Sequence, residues 1–268
     1  MGSAIIGLLT AVGLTAFALS SSNSDTSIYI NLSGILFVVG GSFSATAITF
    51  SLPDLGSIFV SFWSALRRRE MAPEKIVENL VDVSKILTEN PKAYERSKNE
   101  ANHHFTKDGL DMIENGFPVE KIENILITAV SERRNTVQNE IEVLRTMAKY
   151  PPAFGMIGTV LGLVALLHGL GVDSSTASIG ANMSIALGTT LYGLLLANYI
   201  FLPMSDNLLT RLKHDLHIRR IIVEAILLIK EGEDPVIIQE TLNAFVKPKN
   251  RVKRDLEYRA DSNIGKPA

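Results

Sequence analysis

Long uncharged runs of apolar residues alternate along the chain with stretches rich in charge. Crossing about 30 Å of hydrocarbon takes roughly 20 apolar residues in a helix. Runs of that length extend from about Ser3 to Ser21, from Tyr29 to Ser51, from Pro151-Pro152 to Leu170 and from Ala181 to Pro203. None of these four runs contains Asp, Glu, Lys or Arg. The pattern therefore predicts four transmembrane helices.

The charged stretches show helical periodicity instead. One helix face is formed by Ile76, Leu80, Val83 and Leu87. This helix should end at Asn90-Pro91, because the residue before a proline avoids the α region. A second helix is expected from Tyr94 to Glu114, ended by Gly116, and Pro118 suits the first turn of a third. The apolar stripe of that third helix consists of Val119, Ile122, Leu126, Val130, Val137, Ile141, Leu144 and Ala148.

After the fourth run, a further long helix is expected from Asp206 to Lys230, closed by Gly232. Asp234 then caps a short helix that begins at Pro235. The tail from Lys247 to Ala268 is charged and poor in apolar residues, so we expect it to be mobile. No stretch requires a β-strand. The predicted fold is an all-α membrane protein with four transmembrane helices and a helical cytoplasmic domain.

The basic residues fix the expected orientation. All 26 Lys and Arg residues lie in two blocks, Arg67 to Lys149 and Arg211 to Lys266. The loops Ser22–Ile28 and Gly171–Ile179 contain none. Basic residues collect on the cytoplasmic side of a membrane. We therefore expect both termini and the middle block to be cytoplasmic, in a multi-pass protein of the bacterial inner membrane.

Four segments follow from this pattern. Residues 1–66 hold the first two transmembrane helices, with an extension at Leu55–Leu66 that is too short to span and suits the membrane interface. Residues 67–149 form a cytoplasmic helical domain, residues 150–205 the third and fourth transmembrane helices, and residues 206–268 the cytoplasmic C-terminal helices and tail. The apolar start, Met1–Ile6, is read as part of a retained membrane helix, with a cleaved signal peptide as the alternative.

Composition and motifs argue against an enzyme. A net charge of −2 argues against nucleic acid as the main partner. The chain has no cysteine, which removes disulfides and thiolate metal sites. The glycine run from Gly155 to Gly162 lacks the Gly-Lys-Ser/Thr ending of a phosphate loop. His103 and His104 are adjacent and project about 100° apart on a helix, so a solvated face suits them better than a metal site.

Small and hydroxyl residues mark the third and fourth runs. Gly155, Gly158 and Gly162 form a ridge that allows close helix approach in lipid. Thr159, Thr189 and Thr190 place hydroxyls at membrane depth, although a Thr hydroxyl can also bond a carbonyl of its own helix. Because an ion path through hydrocarbon needs an ionisable or coordinating group, a titrating carboxylate would have to come from another chain.

Two motifs resemble a known family. Pro152-Ala-Phe-Gly155-Met-Ile-Gly158-Thr159-Val-Leu-Gly162-Leu resembles the third span of the MotA/PomA flagellar stator A subunits. Ile185-Ala-Leu-Gly-Thr189-Thr190-Leu-Tyr192-Gly193, continuing to Asn198 and Pro203, resembles their fourth span. The resemblance extends over about residues 1 to 246, and four spans separate the chain from three-span TolQ/ExbB relatives.

The resemblance implies a function in motility and chemotaxis. In this family a homopentamer of A subunits surrounds two copies of a single-span MotB/PomB-like B subunit, in a 5:2 complex whose B-subunit Asp binds the translocated cation. Flow of Na⁺ or H⁺ is thought to rotate the ring and generate torque, with no further cofactor. Thr159 and Thr190 would then face the ion path, and Thr189 would suggest sodium.

Further roles carry over by the same match. Pro152 and Pro203 would couple ion binding to motion. Gly155, Gly158, Gly162 and Gly193 would pack around the partner. A rotor contact would fall at Lys85, Glu89, Lys92 and Glu95. In that stretch the Arg and Gly of the family pattern are absent, so the chain could drive something other than a flagellum.

Two alternatives remain at this point. A TolQ/ExbB-like energiser of envelope processes, or a non-flagellar rotary motor, would use the same ion-driven mechanism. A membrane scaffold with a cytoplasmic docking domain would need no ion path, and replacement of Thr190 by Ala would leave its function intact.

Overall fold

The computed structural model describes residues 2–21, 29–51, 55–56, 71–90, 93–172 and 176–252. Its regular secondary structure in these ranges is helical, without a strand. The helices are α1 (Gly2–Ser20), α2 (Leu32–Thr49), α3 (Pro73–Glu89), α4 (Tyr94–Glu100), α5 (His104–Glu114), α6 (Val119–Val172), α7 (Thr176–Leu195), α8 (Leu202–Glu231) and α9 (Pro235–Asn243). A π-helical segment, Leu196–Phe201, joins α7 to α8, and Pro248–Asn250 forms a 3₁₀ turn.

The chain divides into two compact units. The first, called here the membrane unit, comprises residues 1–68 and 136–211, and the second, the cytoplasmic unit, comprises residues 69–135 and 212–268. Of the predicted interfacial extension, only residues 55–56 are described. Phe62 and Trp63, the predicted loop Ser22–Ile28, and residues 253–268 of the tail lie outside the described residues. Of the predicted loop Gly171–Ile179, residues 173–175 lie outside them, while residues 171–172 and 176–179 are helical.

The predicted all-α membrane fold is confirmed. Within the described residues, three helical stretches are long and apolar enough to cross a membrane: Leu32–Thr49, and parts of Val119–Leu170 and Ile179–Glu231. The first predicted span lies on α1, a helix of 19 uncharged residues with an apolar portion at Leu9–Ala18. Large apolar side chains point outward on these helices, and Ile48 is 88% exposed. In water such exposure would be costly, whereas lipid accepts it.

No break occurs at Pro151-Pro152. The helix α6 continues from Val119 to Val172 through both prolines, so the third cytoplasmic helix and the third span are one element. Proline has no N–H, and the carbonyls of Met147 and Ala148, one turn earlier, therefore lose their usual donors. Neighbouring helices in membrane proteins commonly offset this loss.

The fourth span continues in the same way into the cytoplasmic helix. Between α7 and α8 the Leu202 N–H bonds Ala197 O, the five-residue step of a π-helix. Pro203 follows directly, and its missing N–H leaves Tyr199 O without the donor that an α-helix supplies. The change of register therefore falls at the point where the α-helical ladder is already interrupted.

The cytoplasmic unit has its own apolar core. The predicted stripe on α3 is buried, with Ile76, Leu80 and Val83 each no more than 2% exposed. It packs with α5, α8, α9 and the start of α6, and the largest fully buried side chains of the unit are Ile76, Leu80, Leu110, Ile122, Leu126, Ile221, Ile222, Ile226, Ile238 and Leu242. Each buried Leu or Ile contributes about 1.5–3 kcal/mol.

The predicted single helix at Tyr94–Glu114 is wrong, because the chain breaks at residues 101–103. Asn79, on α3, holds both sides of the break. Its Nδ2 donates to Glu100 O at 2.7 Å, and its Oδ1 accepts from the Asn102 N–H at 3.0 Å. A single amide side chain thus satisfies backbone groups that a continuous helix would have paired internally.

Lys98 joins the two short helices. Its Nζ lies 2.6 Å from Asp111 Oδ1, 2.7 Å from Glu114 Oε2 and 3.5 Å from Glu95 Oε1. Hydrogen bonds to Asp111 and then to Glu114 raise the pKa of Lys98 above its usual range. The ammonium group therefore stays charged and keeps α4 against α5 throughout the physiological pH range.

His103 caps α5. Its Nδ1 accepts a hydrogen bond from the Phe105 N–H at 3.1 Å, which requires that nitrogen to be unprotonated. Burial, and next the positive charge of Arg219, lower the pKa of His103, while Asp215 opposes them. The expected solvated face is wrong for His103 and holds for His104, whose side chain is 88% exposed.

We expect acidification to destabilise the cytoplasmic unit through His103. The folded unit binds this proton less readily than the unfolded chain does, so stability falls as the pH drops below about 6.5. The variant His103→Asn keeps a capping side chain and should lose part of that pH dependence. Unfolding midpoints of the full chain in detergent at about pH 7.5 and about pH 5.5 measure it. His104→Asn is the matched control, and equal pH slopes in both variants would contradict the assignment.

The predicted end of α8 at Gly232 and the predicted cap of α9 at Asp234 are both present. Gly232 has a φ of +78°, and Asp234 accepts a hydrogen bond from the Val236 N–H at 2.8 Å to cap α9. The expectation of a tail from Lys247 onward is wrong through Val252. Asn243 holds that residue with two bonds, donating to Val252 O at 3.1 Å and accepting from the Val252 N–H at 3.0 Å.

Candidate functional site

Three glycines on α6 let α7 approach its backbone. A Cβ atom at Gly155 would lie 2.9 Å from Thr189 O. At Gly158 it would lie 2.5 Å from Thr189 Oγ1, and at Gly162 it would lie 2.6 Å from Ala186 Cβ. These distances are shorter than van der Waals contact. The two helices therefore touch along a line that only glycine permits.

Gly193, on α7, makes the reciprocal contact. A Cβ atom there would lie 2.3 Å from Pro151 O and 3.2 Å from Pro152 Cα. The space in front of all four predicted packing glycines is thus occupied by the chain's own helices. They bring α6 and α7 together, and their packing around a partner stays a prediction.

Thr159 and Thr190 meet across this contact. Their Oγ1 atoms are 2.5 Å apart. Thr159 Oγ1 also lies 3.0 Å from Gly155 O and 2.9 Å from Ala186 O, and Thr190 Oγ1 lies 3.2 Å from Gly155 O. These four close O···O contacts share only two hydroxyl hydrogens. Oxygen lone pairs therefore face each other at this point.

Thr189 completes the group but is placed differently. It is 1% exposed, and its Oγ1 lies 2.9 Å from Ala186 O and 3.3 Å from Gly155 O. Its methyl group faces α2, where a Cβ atom at Gly34 would lie 3.1 Å from Thr189 Cγ2. Thr159 and Thr190 are only half-buried. Another chain can therefore reach those two residues, while Thr189 lies behind them.

We call the five oxygens the oxygen cluster: Oγ1 of Thr159, Thr189 and Thr190, and the carbonyl oxygens of Gly155 and Ala186. Such neutral oxygens are ligands for hard cations and can replace part of a hydration shell. They carry no formal charge, and none of them takes up an additional proton at neutral pH. Among the described residues, no group of three or more His, Cys, Asp or Glu could hold a metal ion.

The two predicted coupling prolines lie on the same side of the oxygen cluster, toward the predicted cytoplasmic ends of the third and fourth spans. Pro152 is half-buried beside Gly193. Pro203 is exposed and directly follows the π-helical segment. Both sites combine a carbonyl without its usual donor with a close helix neighbour or a change of helical register. Their role in coupling stays a prediction.

The predicted rotor-contact residues lie in the cytoplasmic unit. Lys85 Nζ is 3.8 Å from Asp82 Oδ1, and Glu95 pairs with Lys98. Glu89 is exposed at the end of α3, and Lys92 lies outside the described residues. A contact with a rotor also stays a prediction.

Sequence reasoning missed one residue of this region. The fourth-span motif contains Tyr192 without a role for it, yet its hydroxyl joins α7 to the backbone at the start of α2. A tyrosine within an apolar run is the available signal, because a buried phenol needs a hydrogen-bond partner. His168 also lies in the third span, exposed about two and a half turns beyond Thr159.

Comparison with known proteins agrees with this architecture. The model of the MotA/TolQ/ExbB proton channel family matches residues 97–221. Motility protein A of Borreliella burgdorferi is 29% identical over 248 residues, covering 92% of this chain and 94% of the relative. Chemotaxis protein PomA of Vibrio alginolyticus is 29% identical over 254 residues, covering 93% and 97%.

A solved structure shares the fold. The flagellar MotAB stator complex from Bacillus subtilis contains a chain that superposes with a TM-score of 0.84 at 23% identity, covering 94% of this chain and 98% of that one. The resemblance predicted from the two span motifs is confirmed by these matches. The chain is thus similar over most of its length to MotA and PomA proteins, and its residues 97–221 match the MotA/TolQ/ExbB proton channel family.

Proposed function

We propose that the chain is the A subunit of an ion-driven stator that converts cation flow across the inner membrane into torque. The oxygen cluster is the observation that carries the proposal. It places neutral cation ligands at membrane depth, and no Asp, Glu, Lys or Arg lies within the predicted spans that surround it. The names of the curated relatives support the same function.

The charge that the cluster lacks is assigned to a partner. We propose a single-span subunit of the MotB/PomB kind, whose membrane Asp reaches Thr159 and Thr190 at their half-buried surface. The Bacillus subtilis fold relative is a complex of that kind by its name, MotAB. A homopentamer around two partner subunits, and a rotor protein in contact with the cytoplasmic unit, belong to the same proposal.

The chain's own residues perform the following steps. Thr159 and Thr190 offer oxygens to a cation as it leaves water for the partner's carboxylate, which lowers the desolvation cost of entry. Thr189 holds the Gly155 and Ala186 carbonyls from behind. Na⁺ or H⁺ is the cargo rather than a resident cofactor. With both termini on the cytoplasmic side, motion of α6 and α8 reaches the cytoplasmic unit directly, since each helix contains residues of both units.

Co-purification tests the proposal. The full chain, expressed with a single-span subunit bearing a membrane Asp, should form a stable complex of about 5:2 stoichiometry by native mass measurement. Cells containing both should show cation-dependent motion. A complex that supports this motion equally well when the partner's Asp is replaced by Asn would contradict the proposal.

A related function shares the mechanism. The Arg and Gly of the family's rotor pattern are absent near Lys85–Glu95, which favours a driven partner other than a flagellar rotor. The matched family model also includes TolQ and ExbB. The neighbouring gene distinguishes a stator from an energiser of envelope processes. A gene for a B subunit with a peptidoglycan-binding domain favours a stator, and one for a short TolR-like partner favours an energiser.

A further inference from the structure

We infer that Tyr192 is a positioning residue that fixes α7 against α2 and so keeps Thr190 facing Thr159. The inference rests on the proposed function for its consequence, but its geometry is independent of it. Tyr192 lies two residues beyond Thr190 on α7. A constraint on its side chain therefore acts within one turn of the oxygen cluster.

The Tyr192 hydroxyl holds two backbone groups at once. It donates to Tyr29 O at 2.5 Å and accepts from the Asn31 N–H at 2.7 Å. Asn31 is the N-cap of α2, and its Oδ1 accepts from the Gly34 N–H at 3.0 Å. The phenol thus uses both its donor and its acceptor capacity on the backbone that leads into another helix. In lipid such backbone groups have few alternative partners, so the contact is strongly favoured.

The first turn of α2 lies against Thr189. A Cβ atom at Gly34 would lie 3.1 Å from Thr189 Cγ2 and 3.3 Å from Tyr192 Cε2. Gly34 is itself buried. Rotation of α7 about its axis would move Tyr192 away from Tyr29 O and press Thr189 into Gly34. The hydrogen bonds of the Tyr192 hydroxyl and the close Thr189–Gly34 contact therefore select one rotation of α7. In that rotation Thr190 is directed toward Thr159.

A second interhelical tyrosine supplies a matched control. The Tyr199 hydroxyl lies 3.0 Å from Thr15 Oγ1 on α1. Like Tyr192 it is half-buried and lies in the fourth predicted span, but it belongs to the π-helical segment. Replacement of Tyr199 by Phe removes a hydroxyl contact of the same kind without touching α2. It measures the effect of losing such a contact away from the oxygen cluster.

Disulfide formation tests the positioning directly. The chain has no cysteine, so Thr159→Cys with Thr190→Cys creates its only thiol pair. Because the replaced oxygens are 2.5 Å apart, mild oxidation of the full chain in membranes should join them rapidly. Adding Tyr192→Phe should slow this reaction about fivefold or more, and adding Tyr199→Phe should not. An unchanged rate with Tyr192→Phe, or equal slowing by both substitutions, would overturn the inference.

Cation dependence supplies the second measurement. In the complex with its partner, the single variant Tyr192→Phe should raise the cation concentration for half-maximal transport several-fold with a smaller change in the maximal rate. Tyr199→Phe should leave that concentration unchanged, and a parental value in Tyr192→Phe would overturn the role in transport. If the parent complex transports no cation, the proposed function fails, while the oxidation rates still decide whether Tyr192 positions the threonine pair.

Discussion

Replacing Gly193 by alanine is expected to prevent normal association of α6 with α7. The added methyl group would lie 2.3 Å from Pro151 O, a backbone atom that cannot move without displacing α6. Overpacking of this kind costs about 1–3 kcal/mol where neighbours can adjust, and more where they cannot. We therefore expect a large fall in the yield of folded chain and in its thermal midpoint in detergent.

Gly180 provides the control for this substitution. It lies on the same helix, and a Cβ atom there would meet nothing within 4 Å. Gly180→Ala should therefore fold normally and gain slightly from the lower entropy of its unfolded chain. If Gly193→Ala and Gly180→Ala gave the same yield and the same thermal midpoint, the close α6–α7 contact would be wrong.

Removing the hydroxyl of Thr190 is expected to impair cation transport while sparing the fold. Thr190→Val keeps the branched shape of the side chain but deletes one oxygen from the cluster. Loss of one partner in a buried polar group costs about 1–3 kcal/mol, or about tenfold in an equilibrium, so transport should fall by about tenfold or more. Thr159→Val should behave in the same way, and the measurement is cation flux through the complex in vesicles.

The double variant sharpens this expectation. Because Thr159 and Thr190 bond each other, the loss in the double variant should be smaller than the product of the two single losses. Thr49→Val is the control, since the Thr49 hydroxyl lies 3.1 Å from Tyr150 Oη, at the opposite end of α2 from Gly34. Full transport by the variants Thr159→Val and Thr190→Val would favour the scaffold alternative.

Features set by local chemistry were predictable from the sequence. Gly232, Asp234 and Pro235 each impose a backbone conformation through their own side chain or its absence, and each lies where expected. The apolar stripe on α3 followed from spacing alone. The four uncharged runs were also recognisable, because a membrane span requires a long stretch of apolar residues whatever their neighbours in the fold are.

Features set by distant partners were not predictable. The break after Glu100 depends on Asn79, whose polar side chain lies on a different helix and gives no signal of this role in the sequence. The ordered segment that ends at Val252 depends on the buried side chain of Asn243. At Pro151 the local tendency toward a helix break is overridden by packing, with Gly193 lying close against its carbonyl.

The candidate site divides in the same way. Its residue types followed from the sequence, because glycine spacing allows close helix approach in lipid and the two span motifs resembled those of a known family. Its geometry did not follow from the sequence. Thr189 and Thr190 are adjacent and identical, and the rotation of α7 alone decides which of them is buried and which can be reached. That rotation is set by contacts with Gly34 and Tyr29, more than 150 residues away along the chain and invisible to any local pattern.

The central claim is that the chain supplies the oxygen lining of an ion path and a partner supplies the charge. Cation flux into vesicles of defined lipid, driven by an imposed membrane potential, tests it most directly. We expect no flux from the chain alone, flux from the chain with an Asp-bearing single-span subunit, and loss of flux when that Asp is replaced by Asn. Flux from the chain alone, or undiminished flux with Asn, would contradict the account.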